Sequence, residues 1–183
     1  MTLDPTVPSD FITPLPEEYE PRATRLVLAS MPHVRTQIWM GGVHTMLGDA
    51  LEEHHLTSAW VVDCAGELPP TMAASARRHL PRVFLDIEAV PSNMDRITAV
   101  VREMADALRG EDAPERVYVM CKQGLNRSGL VTAMLLRALG VPSAEVVGLV
   151  RAARPGALNN VTFVGLAEQP DTDADAAAAA GAG

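Results

Sequence analysis

A three-layer α/β fold, with a mostly parallel central sheet of about four to five strands and helices on both faces, is the architecture this sequence predicts. Three observations carry it. Short apolar runs alternate with segments of helical spacing through the middle of the chain, the order that builds a parallel sheet covered on both sides. Residues 58–64 have the continuous apolar character of a buried strand. Residues 116–139 read as strand, tight loop and helix in direct succession.

Taken in order, Pro5, Pro8, Pro14, Pro16 and Pro21 fix the backbone too often for a helix or central strand, so residues 1–28 are expected to be an extended or disordered arm. A first strand is expected over 36–40, closed by Gly41 and Gly42, and a helix over 44–56. The 58–64 strand follows, then a helix over 71–79 and a third strand over 82–87. Met94, Ile97, Val101, Met104 and Leu108 recur at helical spacing over 93–108, and Gly110 ends that helix. Residues 116–120 form a fourth strand and 128–139 a helix stopped by Gly140. Ser143 is placed to cap a helix that runs to 154, where Pro155 and Gly156 stop it. A last helix spans 160–167, which leaves a folded domain over 29–169 and a low-complexity tail over 170–183.

Composition narrows the function. A chain of 183 residues, 48% of them hydrophobic, can bury one respectable core. The formal charge of -8 belongs to the ends: Asp4, Asp10, Glu17, Glu18 and Glu20 at the start and Asp171, Asp173 and Asp175 in the tail leave residues 21–169 formally neutral. A neutral body argues against nucleic acid as the main partner, because duplex binding leans on a basic face. With no long apolar run and no basic-then-apolar start, neither a membrane span nor secretion is expected. Two cysteines, Cys64 and Cys121, are too few for a disulfide scaffold, and a reducing cytoplasm is expected. A monomer is expected.

The chemistry is concentrated in VYVMCKQGLNRSGLVTAMLLRALG. Strand carboxyl ends and helix amino ends converge at such junctions, where parallel sheets present ligands. The N–H groups of Lys122, Gln123, Gly124, Leu125, Asn126, Arg127 and Ser128 can converge on one anion, and the helix adds the positive end of its dipole. Arg127 offers a fork to two phosphate oxygens. Such surroundings should favour the thiolate of Cys121 near neutral pH, making it a nucleophile. Ser128 can donate its hydroxyl to the sulfur and help it leave. A cysteine at the end of a buried strand is ordinarily an inert apolar residue, and Cys64 is read that way. The joint spacing of cysteine, glycine, arginine and serine between strand and helix reverses that reading for Cys121.

CKQGLNRSG is similar to the Cys-x5-Arg-Ser signature of the protein tyrosine phosphatase superfamily, and the order of elements resembles its compact dual-specificity branch. QIWMGG and SAWVVDCAGEL resemble that branch's first two strands, and RAARPGALNNVTF resembles the segment after the signature, so the likeness covers about residues 36–167. The low-molecular-weight branch and the rhodaneses fit less well. The resemblance implies a phosphatase domain over 29–169 that hydrolyses phosphate monoesters through a phosphocysteine on Cys121, without metal or other cofactor. It implies phosphotyrosine as substrate, with phosphoserine and phosphothreonine beside it, on a phosphorylated protein or a small phosphate monoester. Asn160 should brace the loop from behind and Phe163 should anchor the last helix. Cys64 occupies the place where some superfamily members carry a cysteine that pairs with the nucleophile on oxidation.

Two positions depart from the family pattern. Met120 stands where a histidine usually precedes the cysteine. The general acid is normally an aspartate after the third strand, but residues 89–91 offer none. Asp86 is the first choice for that role, with Glu88 and Asp95 as neighbours. These departures favour a rival reading, a pseudophosphatase that binds phosphate or acts as a scaffold. Lys122, the one lysine of the chain, suggests a third, an inositol phosphate or phosphoinositide phosphatase. His54 and His55, adjacent and so about 100° apart on a helix, do not make a metal site. Trp39 and Trp60 are expected in the core.

Overall fold

The structure, a computed structural model, describes residues 24–26, 31, 34–43 and 56–169. The runs rich in Val, Ile, Tyr and Trp pair into one sheet of five strands. In chain order these are β1 (Thr24–Leu26), β2 (Gln37–Gly42), β3 (Ala59–Asp63), β4 (Arg78–Pro81) and β5 (Arg116–Cys121). The spatial order is β1-β2-β5-β3-β4. β2, β5, β3 and β4 run parallel, and only β1 pairs antiparallel, at the edge beside β2. Five helices of the described residues complete it: α1 (Pro70–Ser75), α2 (Met94–Arg109), α3 (Arg127–Ala138), α4 (Ser143–Ala153) and α5 (Val161–Glu168).

Side-chain alternation along β5 builds the two layers that cover the sheet. Val117, Val119 and Cys121 face one way, into a core shared with Ile38, Met40, Val62 and Leu80 and covered by α2 to α5. Tyr118 and Met120 face the other way, joining Val43, Leu56, Val61 and Leu68 beneath Met72 and Ala73 of α1. All five expected positions on α2 turn toward the core, Ile97, Val101, Met104 and Leu108 being buried and Met94 packed against it from the side.

Four sequence expectations are corrected. The third strand is β4, ahead of the expected 82–87, and within that window Val83 and Leu85 are exposed while Phe84 is buried. The pattern of 82–87 does alternate, but beyond Pro81 only the Arg82 N–H, 2.8 Å from the Asp63 carbonyl, and the Phe84 N–H, 3.4 Å from the Cys64 carbonyl, still reach the neighbouring chain, and the segment continues as an irregular rim rather than a strand. β1, a three-residue edge strand paired with β2, lies inside the stretch expected to be an extended or disordered arm. Ser143 is the first residue of α4 rather than its cap, which falls on Pro142 with no side-chain hydrogen bond. Trp60 is buried beneath the Arg78 guanidinium, 4.7 Å from the ring centre, whereas Trp39 is only half-buried. His54, His55 and most of the helix expected over 44–56 lie outside the described residues.

Phe163 of α5 is fully buried and meets Phe84 edge to face, with ring centres 5.9 Å apart. This contact joins the last helix to the rim after β4. Phe163→Ala is expected to lower stability by about 3–5 kcal/mol, read from urea unfolding. A loss below about 1 kcal/mol would place the helix's anchorage elsewhere.

Candidate active site

β5 is the central strand, and it ends at Cys121, level with Gly42 at the end of β2. On its other side Asp63 pairs with Met120, so Cys64 lies one step further along beside Cys121. The chain then crosses a tight loop and enters α3 at Arg127, the kind of junction at which loop N–H groups and a helix amino end can meet an anion. Cys121 is 2% exposed. Its sulfur accepts the Gly124 N–H at 3.2 Å and lies 3.3 Å from the buried Ser128 hydroxyl oxygen.

Gly124 is required by both conformation and space. Its φ is +71°, and a Cβ there would come within 2.1 Å of the Gly41 carbonyl carbon and 2.4 Å of the Gly42 nitrogen. The loop therefore folds back against the end of β2, which is why two glycines close that strand.

Arg127 is 9% exposed, and Nη1 donates to the carbonyls of Phe84 at 3.3 Å and Cys64 at 3.5 Å. These two carbonyls fix the guanidinium plane. Nε is buried without a hydrogen-bond partner among the described residues, an exception to the usual pairing of buried polar groups.

Behind the loop lies a second network. Asn126 donates through Nδ2 to Asp86 Oδ2 at 3.2 Å, and its Oδ1 accepts the N–H groups of Asn159 at 2.9 Å and Asn160 at 3.2 Å. Asn160 donates through Nδ2 to Asp86 Oδ1 at 3.2 Å and to the Ile87 carbonyl at 2.9 Å. Its own Oδ1 caps α5 by accepting from Thr162 and Phe163. Lys122 is exposed and Gln123 half-buried, while Leu125 and Asn126 are buried.

The chain matches the model of the tyrosine phosphatase family over residues 44–148, more than half its length. It belongs to that family. Solved structures share the fold: a mouse protein described as a dual specificity phosphatase, complexed with zinc tungstate, is 20% identical with a TM-score of 0.63, covering 89% of this chain and 94% of that one. Human DUSP28 is 21% identical with a TM-score of 0.61, covering 81% and 92% respectively. The human tyrosine phosphatase-like serine/threonine/tyrosine-interacting protein has the same TM-score of 0.61 at 12% identity, covering 87% and 99%. No curated protein matches the chain in sequence.

Within this phosphatase fold Met120 is fully buried on the face of the sheet opposite Cys121, among Val61, Leu68 and Tyr118. A methionine fills that apolar layer, and its side chain is directed away from the thiol. Cys64 and Cys121 are both free thiols. Burial pushes the Cys64 thiol well above its ordinary range; the neighbouring Cys121 adds to this, Arg127 opposes it and Asp63 adds further. Because the folded value is raised, this thiol favours the folded state below the unfolded cysteine value of about 8.5, and the contribution is lost as pH climbs beyond it. Cys64→Ala should therefore flatten the alkaline limb of stability, gaining on wild type by about 1.4 kcal/mol per pH unit above pH ~9. Urea unfolding across pH 7 to 10 measures this, and parallel limbs would contradict it.

Sequence reading missed two contributors to the site. The carbonyls that fix Arg127 come from Cys64 and Phe84, and backbone acceptors leave no signature in side-chain identity. Arg154, 4% exposed, reaches the loop's outer carbonyls. Its only linear sign was an arginine beside the proline and glycine that end α4.

Proposed function

We propose that this protein hydrolyses phosphate monoesters through a phosphocysteine on Cys121 and that aryl esters, phosphotyrosine among them, are its best substrates. The observation that carries this reading is the buried thiol, in contact with the Gly124 N–H and the Ser128 hydroxyl, beside an Arg127 whose Nε has no partner among the described residues. The loop N–H groups and Arg127 hold the three non-bridging oxygens. The Cys121 thiolate attacks phosphorus, the bond to the ester oxygen breaks, and the alkoxide or phenoxide leaves and takes its proton from solvent water. Water then attacks the phosphocysteine, the phosphorus–sulfur bond breaks with Ser128 donating toward the departing sulfur, and inorganic phosphate is released.

The preference for aryl esters comes from Asp86. Both of its oxygens already accept amide hydrogens from Asn126 and Asn160, so we assign it to holding the loop rather than to protonating the leaving group. Without a placed acid, departure depends on the leaving oxygen itself. A phenol near the tyrosine value of about 10 then has a large advantage over an aliphatic alcohol, whose hydroxyl is as weak an acid as water.

The test is a series of phosphate esters of rising leaving-group pKa, assayed without metal. Activity should fall steeply along the series. Asp86→Asn keeps one acceptor but sets its amide NH2 against one of the two amides that now bond the carboxylate, and should reduce turnover of every ester by a similar factor, on the order of tenfold to a hundredfold. A loss confined to poor leaving groups would restore Asp86 as the acid. The second reading, a phosphate-binding pseudophosphatase, gains from Met120 and from Asp86 being occupied; wild type that binds tungstate yet turns over no ester would establish it. Inositol phosphates cleaved in preference to aryl esters would point instead to the exposed Lys122. The family's chemistry needs a reduced thiol, and we place the protein in the cytoplasm on that ground.

A further inference from the structure

We infer that Arg154 is a positioning residue that sets the direction of the phosphate-loop N–H groups, acting through the loop's outward carbonyls. The inference rests on the reading of this loop as the phosphate site. Arg154 is the residue on which α4 ends, with its N–H still bonded to the Val150 carbonyl at 2.9 Å. From there the side chain turns into the body of the protein. Nε donates to the Gly124 carbonyl at 2.6 Å and Nη2 to the Gln123 carbonyl at 3.1 Å. Four residues on, the Leu158 N–H donates to the next carbonyl, that of Leu125, at 3.3 Å. Segment 154–158 thus grips three consecutive loop carbonyls from outside.

The consequence follows from peptide geometry. In a planar trans peptide the C=O of one residue and the N–H of the next point in opposite directions. Holding the oxygens of Gln123, Gly124 and Leu125 outward therefore turns the N–H groups of Gly124, Leu125 and Asn126 inward. One of the three can be checked directly, since the Gly124 N–H lies 3.2 Å from the Cys121 sulfur. If the Arg154 contacts were lost, the Gln123 and Gly124 carbonyls would lose these buried donors. Either peptide could then rotate and present its oxygen to an anion that its N–H now attracts.

The strap is itself held in place. Leu158 adopts φ +56°, the only positive value of a non-glycine residue among those described, a conformation unfavourable for leucine that persists when its surroundings dictate it. Arg151 supplies part of that constraint, Nε donating to the Ala157 carbonyl at 3.3 Å and Nη2 to the Leu158 carbonyl at 2.8 Å. Gly129 leaves room for the Leu158 side chain, which a Cβ at 129 would meet at 3.0 Å. Two arginines one helical turn apart on α4 therefore divide the work: Arg151 fixes the strap and Arg154 fixes the loop.

The experiment compares wild type, Arg154→Met and Arg154→Lys in the full chain, with tungstate binding measured by calorimetry and aryl phosphate turnover measured separately. Arg154→Met should bind tungstate about tenfold more weakly or worse, the loss of at least one hydrogen bond from a charged donor, and kcat/KM should fall at least as far. Arg154→Lys keeps a donor but not the fork, and should lie between the two. It also serves as the deciding variant if Arg154→Met does not fold. A purely structural role would lower the melting temperature and leave the tungstate affinity of folded protein within about twofold of wild type; that result in either folded variant overturns the inference. Wild type that fails to bind tungstate overturns the reading of the site itself, and this inference with it.

Discussion

Cys121→Ser is expected to abolish turnover of aryl phosphates, by about 10⁴-fold or more, while leaving the fold and the oxyanion pocket in place. Serine is close to cysteine in size, so the buried position beside Ser128 and Gly124 is kept without a cavity. The hydroxyl, however, is not ionised at neutral pH, and its hydrogen-bond contacts among the described residues, the Gly124 N–H and the Ser128 hydroxyl, include no general base to activate it. The loop N–H groups and Arg127 do not depend on sulfur, so tungstate should still raise the melting temperature. Turnover within about tenfold of wild type would remove Cys121 as the nucleophile, whatever the binding result.

The second large effect is expected at Arg127. Arg127→Lys keeps the charge but loses the fork that is clamped by the Cys64 and Phe84 carbonyls. An ammonium can satisfy those carbonyls or turn to the substrate, but it has no second donor edge held in a fixed plane. A loss on the order of 10²–10³ in kcat is expected, with a smaller change in KM, because the interaction grows as charge develops on the transferring phosphoryl oxygens. A rise in KM alone would assign Arg127 to substrate binding without a part in the reaction step.

Much of this architecture was legible because it is written in local pattern. The apolar run of β3, the helical spacing of α2 and the strand–loop–helix junction around Cys121 each depend on neighbours in sequence. The rim after β4 was not legible. Val83 and Leu85 imitate a strand's alternation, yet they stay exposed because the segment serves the site through the backbone carbonyl of Phe84. Asp86 shows the same limit for a side chain: it was an acid near the expected place, but its partners Asn126 and Asn160 are 40 and 74 positions away. Arg154 lies 30 positions from the carbonyl it holds, and the arginine-proline pair it forms with Pro155 does not say what its side chain reaches. Chemistry concentrated in nine consecutive residues could be read from sequence, whereas the scaffold around those residues is assembled from three separate regions of the chain, at Cys64, 84–87 and 154–160.

The sheet order also dictates when the site can first exist. β5 enters between β2 and β3, which are made much earlier, and Thr36 at the threshold of β2 bonds across 78 positions to the Pro114 carbonyl just before β5. A nascent chain on the ribosome thus carries β2 and β3 with no shared neighbour until β5 emerges, and the strap from α4 arrives later still. Contacts of such separation close slowly. On the proposed reading of the loop, oxyanion binding would report a chain made at least as far as Arg154: a truncated or stalled chain ending before it has the cysteine and the arginine of the signature but not the Arg154 contacts to the Gln123 and Gly124 carbonyls.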